Sequence, residues 1–205
     1  MTSVGINGLG RIGRLLTRRL FERHDARAAL RLTMCNEVAD AATVAHLLKY
    51  DSTHGRFSQP VVTDGDRLNI VDQTVLLTQE TAPSKVRWSD RDVNLVIDCT
   101  GVEFNRSSAA QHLGGSVSRV MLSQPASTDV DGTIIWGLND STLTSDMSVI
   151  SAGSCTSNAL MPVLSVIDTA FGIRAGIVTT IHSAMNDQPV IDAYHHTDLR
   201  KTRAA

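Results

Sequence analysis

The stretch "SVGINGLGRIGRLLTRRLF", Ser3 to Phe21, restricts the possible fold more than any other part of the chain. Gly8, Gly10 and Gly13 form a G-x-G-x-x-G turn that follows a short apolar strand and opens a helix. Glycines at these spacings let the backbone turn tightly and approach a pyrophosphate, which then rests against the helix N-terminus. The helix shows in Ile12, Leu15, Leu16 and Leu20, which recur at helical spacing while Arg14, Arg18 and Arg19 take other faces. A second strand is expected from about Leu30 to Asn36, and Glu37 closes it about two dozen positions after the turn. An acid there accepts hydrogen bonds from the adenosine ribose and repels a 2′-phosphate, so the pattern favours NAD over NADP.

The rest of the chain continues the alternation. Asp40 is positioned to cap a helix over "AATVAHLLKY", and "SQPVVTDGDRLNIVDQTVLLTQ" reads as short meandering strands. "VNLVIDCT" and "VSRVML" are nearly continuous apolar runs, as expected of parallel strands covered on both faces. "SSAAQHL" is a short helix candidate, and "SVIS" is followed by a helix to about Phe171 and a strand, "AGIVTTIH". The expected class is α/β, a doubly wound parallel sheet over roughly the first 150 residues. "DCTG", Asp98 to Gly101, ends one buried strand at the edge where such sheets bind ligands. Thr100 and Gly101 could line the cofactor there; a plain strand-ending turn explains the segment almost as well.

Bulk properties exclude other classes. With a formal net charge of −2 and no Lys/Arg stripe, nucleic-acid binding by bulk electrostatics is not expected. No run reaches the roughly 18 apolar residues of a membrane span, and the N-terminus lacks a signal-peptide pattern. Three cysteines without a CxxC pair indicate neither a disulfide framework nor a zinc site, so no metal is expected. The cytoplasm is the expected location.

"SAGSCTSNALMPV", Ser151 to Val163, puts Cys155 in a polar cluster at the start of a helix. Unpaired N–H groups and the helix dipole favour an anion there and lower a thiol pKa from about 8.5. His182 ends the strand "GIVTTIH", from which it could reach that helix start, and Ser154 and Thr156 flank the thiol with hydroxyls suited to an oxyanion or phosphate. Spacing alone equally allows a small helix-start residue and a satisfied strand-end histidine. Cys35 and Cys99 read as core, and His195-His196 as a solvated pair.

Taken together, "INGLGRIGR", "HLLKYDSTHGRF", "DCTG", "SCTSNALMPV", "TTIHS" and "DLRKTRAA" resemble the glyceraldehyde-3-phosphate dehydrogenase family along the whole 205 residues. Within it, "CNEVAD" and "IHSAMNDQPVIDAYHHTDLRKTRAA" most resemble the erythrose-4-phosphate dehydrogenases, and Met185 stands where glycolytic members commonly carry a threonine. The resemblance implies that Cys155 attacks an aldehyde, that His182 activates it, and that a thioester forms. It implies a small phosphorylated aldehyde as substrate, bound by Ser154, Thr156 and Arg200, with Lys201 an alternative because "HHTD" carries one extra residue. NAD is the implied cofactor, held by Asn7, Arg11, Ile12 and Ser123 beside the glycines, Glu37, Thr100 and Gly101.

The resemblance further divides the chain into an NAD-binding Rossmann domain, 1–153, and the beginning of an α+β catalytic domain, 154–205. Family chains run much longer, so that second domain is expected to be incomplete, and the 205-residue chain to bind NAD weakly and turn over no aldehyde. The full-length family member is expected to be a homotetramer. A phosphate-dependent glyceraldehyde-3-phosphate dehydrogenase and an inactive NAD-binding module are the competing readings.

Overall fold

The computed structural model describes residues 1–102 and 105–183. The chain divides into two compact units, Met1–Val166 and Ile167–Ala205.

The first unit opens with β1 (Thr2–Asn7), α1 (Arg11–Glu22) and α2 (His24–Ala29), then β2 (Leu30–Asn36) and α3 (Ala41–Lys49). A small hairpin follows, β3 (Tyr50–Asp51) and β4 (Gly55–Arg56), then the meander β5 (Val61–Asp64), β6 (Arg67–Ile70) and β7 (Gln73–Thr78). The second half of the unit holds β8 (Leu95–Asp98), α4 (Arg106–Ala109), β9 (Arg119–Leu122), β10 (Gly132–Thr133) and β11 (Val149–Ser151), before α5 (Cys155–Phe171) begins.

Nine of these strands form one sheet in the order β10-β11-β9-β8-β1-β2-β7-β6-β5. From β10 to β7 every neighbouring pair is parallel, and β7, β6 and β5 are antiparallel. The expected doubly wound α/β sheet is therefore present. Its order reverses at β1, which has β2 on one side and β8 on the other. That reversal opens a crevice beyond the strand ends, where ligands bind in such sheets.

Two apolar clusters hold the sheet. One gathers Val4, Ile6, Phe21, Leu32, Leu48 and Ile70; the other gathers Met34, Trp88, Val93, Val96, Val120 and Leu122. Leu32 and Met34, two positions apart, belong to different clusters because Thr33 is skipped where β2 pairs with β1. A one-residue shift moves side chains to the opposite face, so β2 contributes to both.

Local chemistry explains the boundaries the sequence marks. Asp40 precedes α3, accepts the Thr43 N–H at 2.9 Å and so satisfies one of the orphan donors of the first turn. The last turn of α5 closes inside the second unit, where the Gly172 N–H donates to the Asp168 carbonyl at 2.8 Å and the Ile173 N–H to the Asp168 carboxylate at 2.8 Å. Two features differ from the sequence reading. The helix α2 buries no residue and carries no apolar stripe, so periodicity does not announce it. Residues 176–181, read as a strand, have no regular structure; a strand needs a neighbour to take its N–H and C=O groups, and among the described residues none pairs with it. No helix among the described residues is long and apolar enough to cross a membrane.

Leu48 of α3 is fully buried in the cluster around β1 and β2. Replacing it with Ala should cost about 2–5 kcal/mol, read from urea unfolding by far-UV circular dichroism. A loss below about 1 kcal/mol would show that α3 does not seal that layer.

Candidate functional site

The turn after β1 is built from backbone. Gly8 has a φ of +87°, which an L side chain rarely adopts, and its N–H donates to the Asn36 carbonyl at 2.8 Å. A Cβ on Gly13 would stand 2.0 Å from the Gly8 carbonyl oxygen, so only glycine lets α1 start this close to β1. Gly10 caps α1 and offers no side chain to its first N–H groups, which leaves them open to an anion. Arg11 and Ile12 occupy the first two helical positions and are exposed.

Glu37 closes on this turn. Its Oε2 accepts the Leu9 N–H at 2.7 Å and its Oε1 the Ala39 N–H at 3.3 Å. Its carboxylate thus braces the loop while facing the cavity that the loop encloses. That cavity, about 340 Å³, is lined by Asn7, Gly8, Gly10, Glu37 and Thr100 among the expected residues, and by Asn36, Glu80 and Pro83 among those not singled out. Bare backbone over the turn, open N–H groups and two lining carboxylates fit a dinucleotide without a 2′-phosphate. Gly101 follows with a φ of +75°, and the Ser123 N–H, just past β9, donates to the Asp98 carbonyl at 2.9 Å.

Beneath the cavity lies a row of polar side chains that the sequence reading passed over. Strand register aligns Asp98, Asn7, Asn36 and Thr78 across the ends of β8, β1, β2 and β7. Thr78 Oγ1 donates to Asn36 Oδ1 at 2.9 Å, Asn36 Nδ2 to Asn7 Oδ1 at 2.8 Å, and Asn7 Nδ2 to Asp98 Oδ2 at 2.7 Å. From the other side the Trp88 indole N–H donates to His112 Nδ1 at 3.0 Å. Indole nitrogen only donates, so the proton of a neutral His112 sits on Nε2, which lies 3.4 Å from Asp98 Oδ2. The other carboxylate oxygen, Oδ1, accepts the N–H of Thr100 at 3.0 Å and its hydroxyl at 2.7 Å.

Each side chain of the row hands a donor to the next in the direction of Asp98, while Asn36 Nδ2 also donates to the Glu80 carbonyl at 2.8 Å. Burial pushes the Asp98 carboxyl up, but hydrogen bonds from His112, Asn7 and Thr100 outweigh burial and hold it below the ordinary carboxylate value. A sequence signal for the row exists: "GIN", "MCN", "LVID" and "LLT" each end a buried apolar strand on a polar residue.

The cysteine sits where a helix begins. Ser151 ends β11, Gly153 follows, and the Ser154 hydroxyl accepts the Ser157 N–H at 2.8 Å as the cap of α5. Cys155 is the first residue of that helix and is exposed, with Thr156 behind it. Ser154 Oγ also lies 2.8 Å from Ser157 Oγ, so it keeps a proton for a ligand only when Ser157 donates. Because β11 and β1 run parallel within one sheet, α5 and the glycine turn leave from the same edge, three strands apart or ~14 Å. The other two cysteines differ from Cys155. Burial pushes the Cys99 thiol up to about 12 and raises that of Cys35 as well. Both read as core, and they stay thiols.

His182 belongs to the second unit, is exposed, and its Nδ1 lies 2.7 Å from the Ser183 carbonyl. Arg200, Lys201 and Met185 lie outside the described residues.

Comparison with known families supplies two matches. A model described as glyceraldehyde 3-phosphate dehydrogenase, NAD binding domain, matches residues 2–106. One described as glyceraldehyde 3-phosphate dehydrogenase, C-terminal domain, matches residues 154–205.

Two outcomes follow from this geometry. Gly13→Ala forces Gly8 away from α1 and should weaken NAD binding at least about tenfold by calorimetric titration; unchanged affinity would show that the close approach is dispensable. Asp98 titrates lower in the folded chain than in the unfolded one, so its contribution is full above about pH 4 and fades as pH falls through the folded value. Asp98→Asn should therefore cost about 1–3 kcal/mol at pH 7, and the gap to the parent should narrow on acidification in urea melts. A gap that stays constant from pH 7 to about pH 3 would contradict a depressed Asp98.

Proposed function

The chain belongs to the glyceraldehyde 3-phosphate dehydrogenase family and uses NAD, and from that premise we propose that it oxidises a phosphorylated aldehyde, erythrose 4-phosphate, to the corresponding acid. The observation that carries the reading is Cys155, exposed in the first turn of α5 on the sheet edge that also bears the nucleotide turn.

The chemistry divides among this chain's residues. Cys155 attacks the aldehyde carbon as thiolate, forming the C–S bond of a hemithioacetal. His182 takes the thiol proton and then steadies the oxygen of that adduct. NAD, when bound, accepts the hydride that leaves the carbon. What remains on Cys155 is a thioester, which water cleaves to the carboxylic acid and free thiol. The helix N-terminus helps carry the charge that builds on sulfur and oxygen. Thr156, Ser154 and Arg200 hold the substrate's oxygens, with Arg11 and Ile12 offering their N–H groups to the pyrophosphate. Glu37 takes the ribose hydroxyls with the lone pairs that Leu9 and Ala39 leave open.

Residues 1–153 form the nucleotide domain in this reading, and residues 154–205 belong to the catalytic domain. The enzyme works as a homotetramer in the cytoplasm. Erythrose 4-phosphate is favoured over glyceraldehyde 3-phosphate by the loop "SAMNDQ" and by Met185, which stands where glycolytic members commonly carry a threonine for the substrate's phosphate.

NADH formation from erythrose 4-phosphate without added phosphate, measured for this chain beside one extended at its C-terminus to the length of the family, tests the proposal. Cys155→Ser should abolish it, and His182→Asn should lower kcat by about 10²–10⁴ and raise the apparent pKa for thiol alkylation. A strict need for inorganic phosphate, with preference for glyceraldehyde 3-phosphate, would replace this reading by the glycolytic one. NAD binding with turnover of neither aldehyde would reduce the chain to a nucleotide-binding module.

A further inference from the structure

A second cavity, about 220 Å³, lies beside the C-terminal half of α1 and is lined by Arg18, Arg19, Glu22, His54, Arg56 and Ser58 among others. We propose that it binds a tetrahedral oxyanion, phosphate either free or carried by a small metabolite, at a site separate from the nucleotide pocket.

The argument starts from Arg18. Its side chain is buried, with the residue 4% exposed, although it ends in a guanidinium. Nη2 donates to the Gly55 carbonyl at 3.0 Å, and the group lies 5.2 Å from the centre of the Phe57 ring. Nη1 is buried and has no hydrogen-bond partner among the described residues, nor does any carboxylate there form an ion pair with Arg18. A buried, uncompensated cation is costly, and folded proteins ordinarily pair one.

Nearby acids do not supply the pair. Glu22 faces the cavity but is held by Arg19 at 3.2 Å. Asp51, next to the hairpin turn, accepts the N–H groups of His54 and Thr53 and is held down to about 2 by them and by the His54 ring. Arg56, exposed on β4, forms no ion pair among the described residues either, so the Glu22 carboxylate on this cavity pairs with Arg19 and leaves Arg18 and Arg56 without a carboxylate partner there. The helix dipole opposes an anion here, since this is the C-terminal end of α1. It is equivalent to only about half a charge, against three arginines and one glutamate.

The donor set selects the ligand class. The Arg56 fork, the Arg19 nitrogens that Glu22 leaves open and the Ser58 hydroxyl line the cavity beside the Arg18 charge, a donor set that suits the three or four oxygens of a phosphate better than a halide. Arg18 stands eight residues along α1 from Gly10, ~12 Å along the axis, so occupation here does not compete with a dinucleotide at the glycine turn.

Thermal melts in inorganic phosphate, in glycerol 2-phosphate and in sodium chloride at matched ionic strength test the site, with phosphorus NMR line broadening as a second readout. Phosphate should raise Tm saturably, by about 3 °C or more. Chloride should not. Arg56→Ala, an exposed position, should abolish the rise. Arg18→Met should abolish it too while melting no lower than the parent in phosphate-free buffer, because it removes an unpaired buried charge. Equal effects of the two phosphates identify free phosphate as the ligand, and a tighter response to the ester identifies a phosphorylated metabolite. A rise that survives Arg56→Ala, or that chloride reproduces, overturns the proposal. So does self-association that depends on Arg18 and occurs without phosphate response, which would make a second copy's carboxylate the counter-charge.

Discussion

A single buried carboxylate organises the edge of the sheet that carries the chemistry. Asp98 is fully enclosed, and an ion enclosed in protein is tolerable only if donors replace the water it gave up. They arrive from three directions: Asn7 across β1, Thr100 from the following turn, and His112 from beyond α4, itself oriented by Trp88. Meeting that demand fixes the side chains of Asn7 and Thr100, which are also walls of the nucleotide cavity. Two walls of the pocket are thus positioned by the satisfaction of one charge. A half-satisfied row would be worse than an apolar one, so its members stand or fall together.

Glu37 shows the same economy. Sequence logic assigns it to a ribose, and the structure finds it bonded to the backbone of the turn it faces. The two tasks are compatible because a carboxylate has about four lone-pair directions, of which the loop's Leu9 and the neighbouring Ala39 use two. Holding Leu9 in place also holds the glycines that flank it.

What the sequence made legible was local. Gly8, Gly10 and Gly13, the strand from Leu30 to Asn36, the Asp40 cap and the helix beginning at Cys155 are each encoded within a few residues by backbone freedom, periodicity or capping. The polar row was hidden because its partners come together only through strand register; Asn7 meets Asp98 from 91 positions away. Trp88 and His112, 24 positions apart, carry no local signal of the hydrogen bond that the fold forms between their nitrogens at 3.0 Å. The reverse error, a strand over 176–181, arose because apolar, β-branched residues mark a willingness to pair, not the presence of a partner.

The reversal of strand order at β1 also governs when the pocket can come into being. The meander β5–β6–β7 joins strands through short turns and can assemble from contacts between near neighbours. The strand β1, synthesised first, has its second partner in β8, so the Asn7 amide lacks its acceptor until residue 98 has left the ribosome. At ~5–20 residues per second, that interval lasts ~5–20 s. During those seconds the glycine turn is a flexible loop on an unfinished sheet. The nucleotide site, begun at β1, therefore closes only after the meander β5–β6–β7 has emerged.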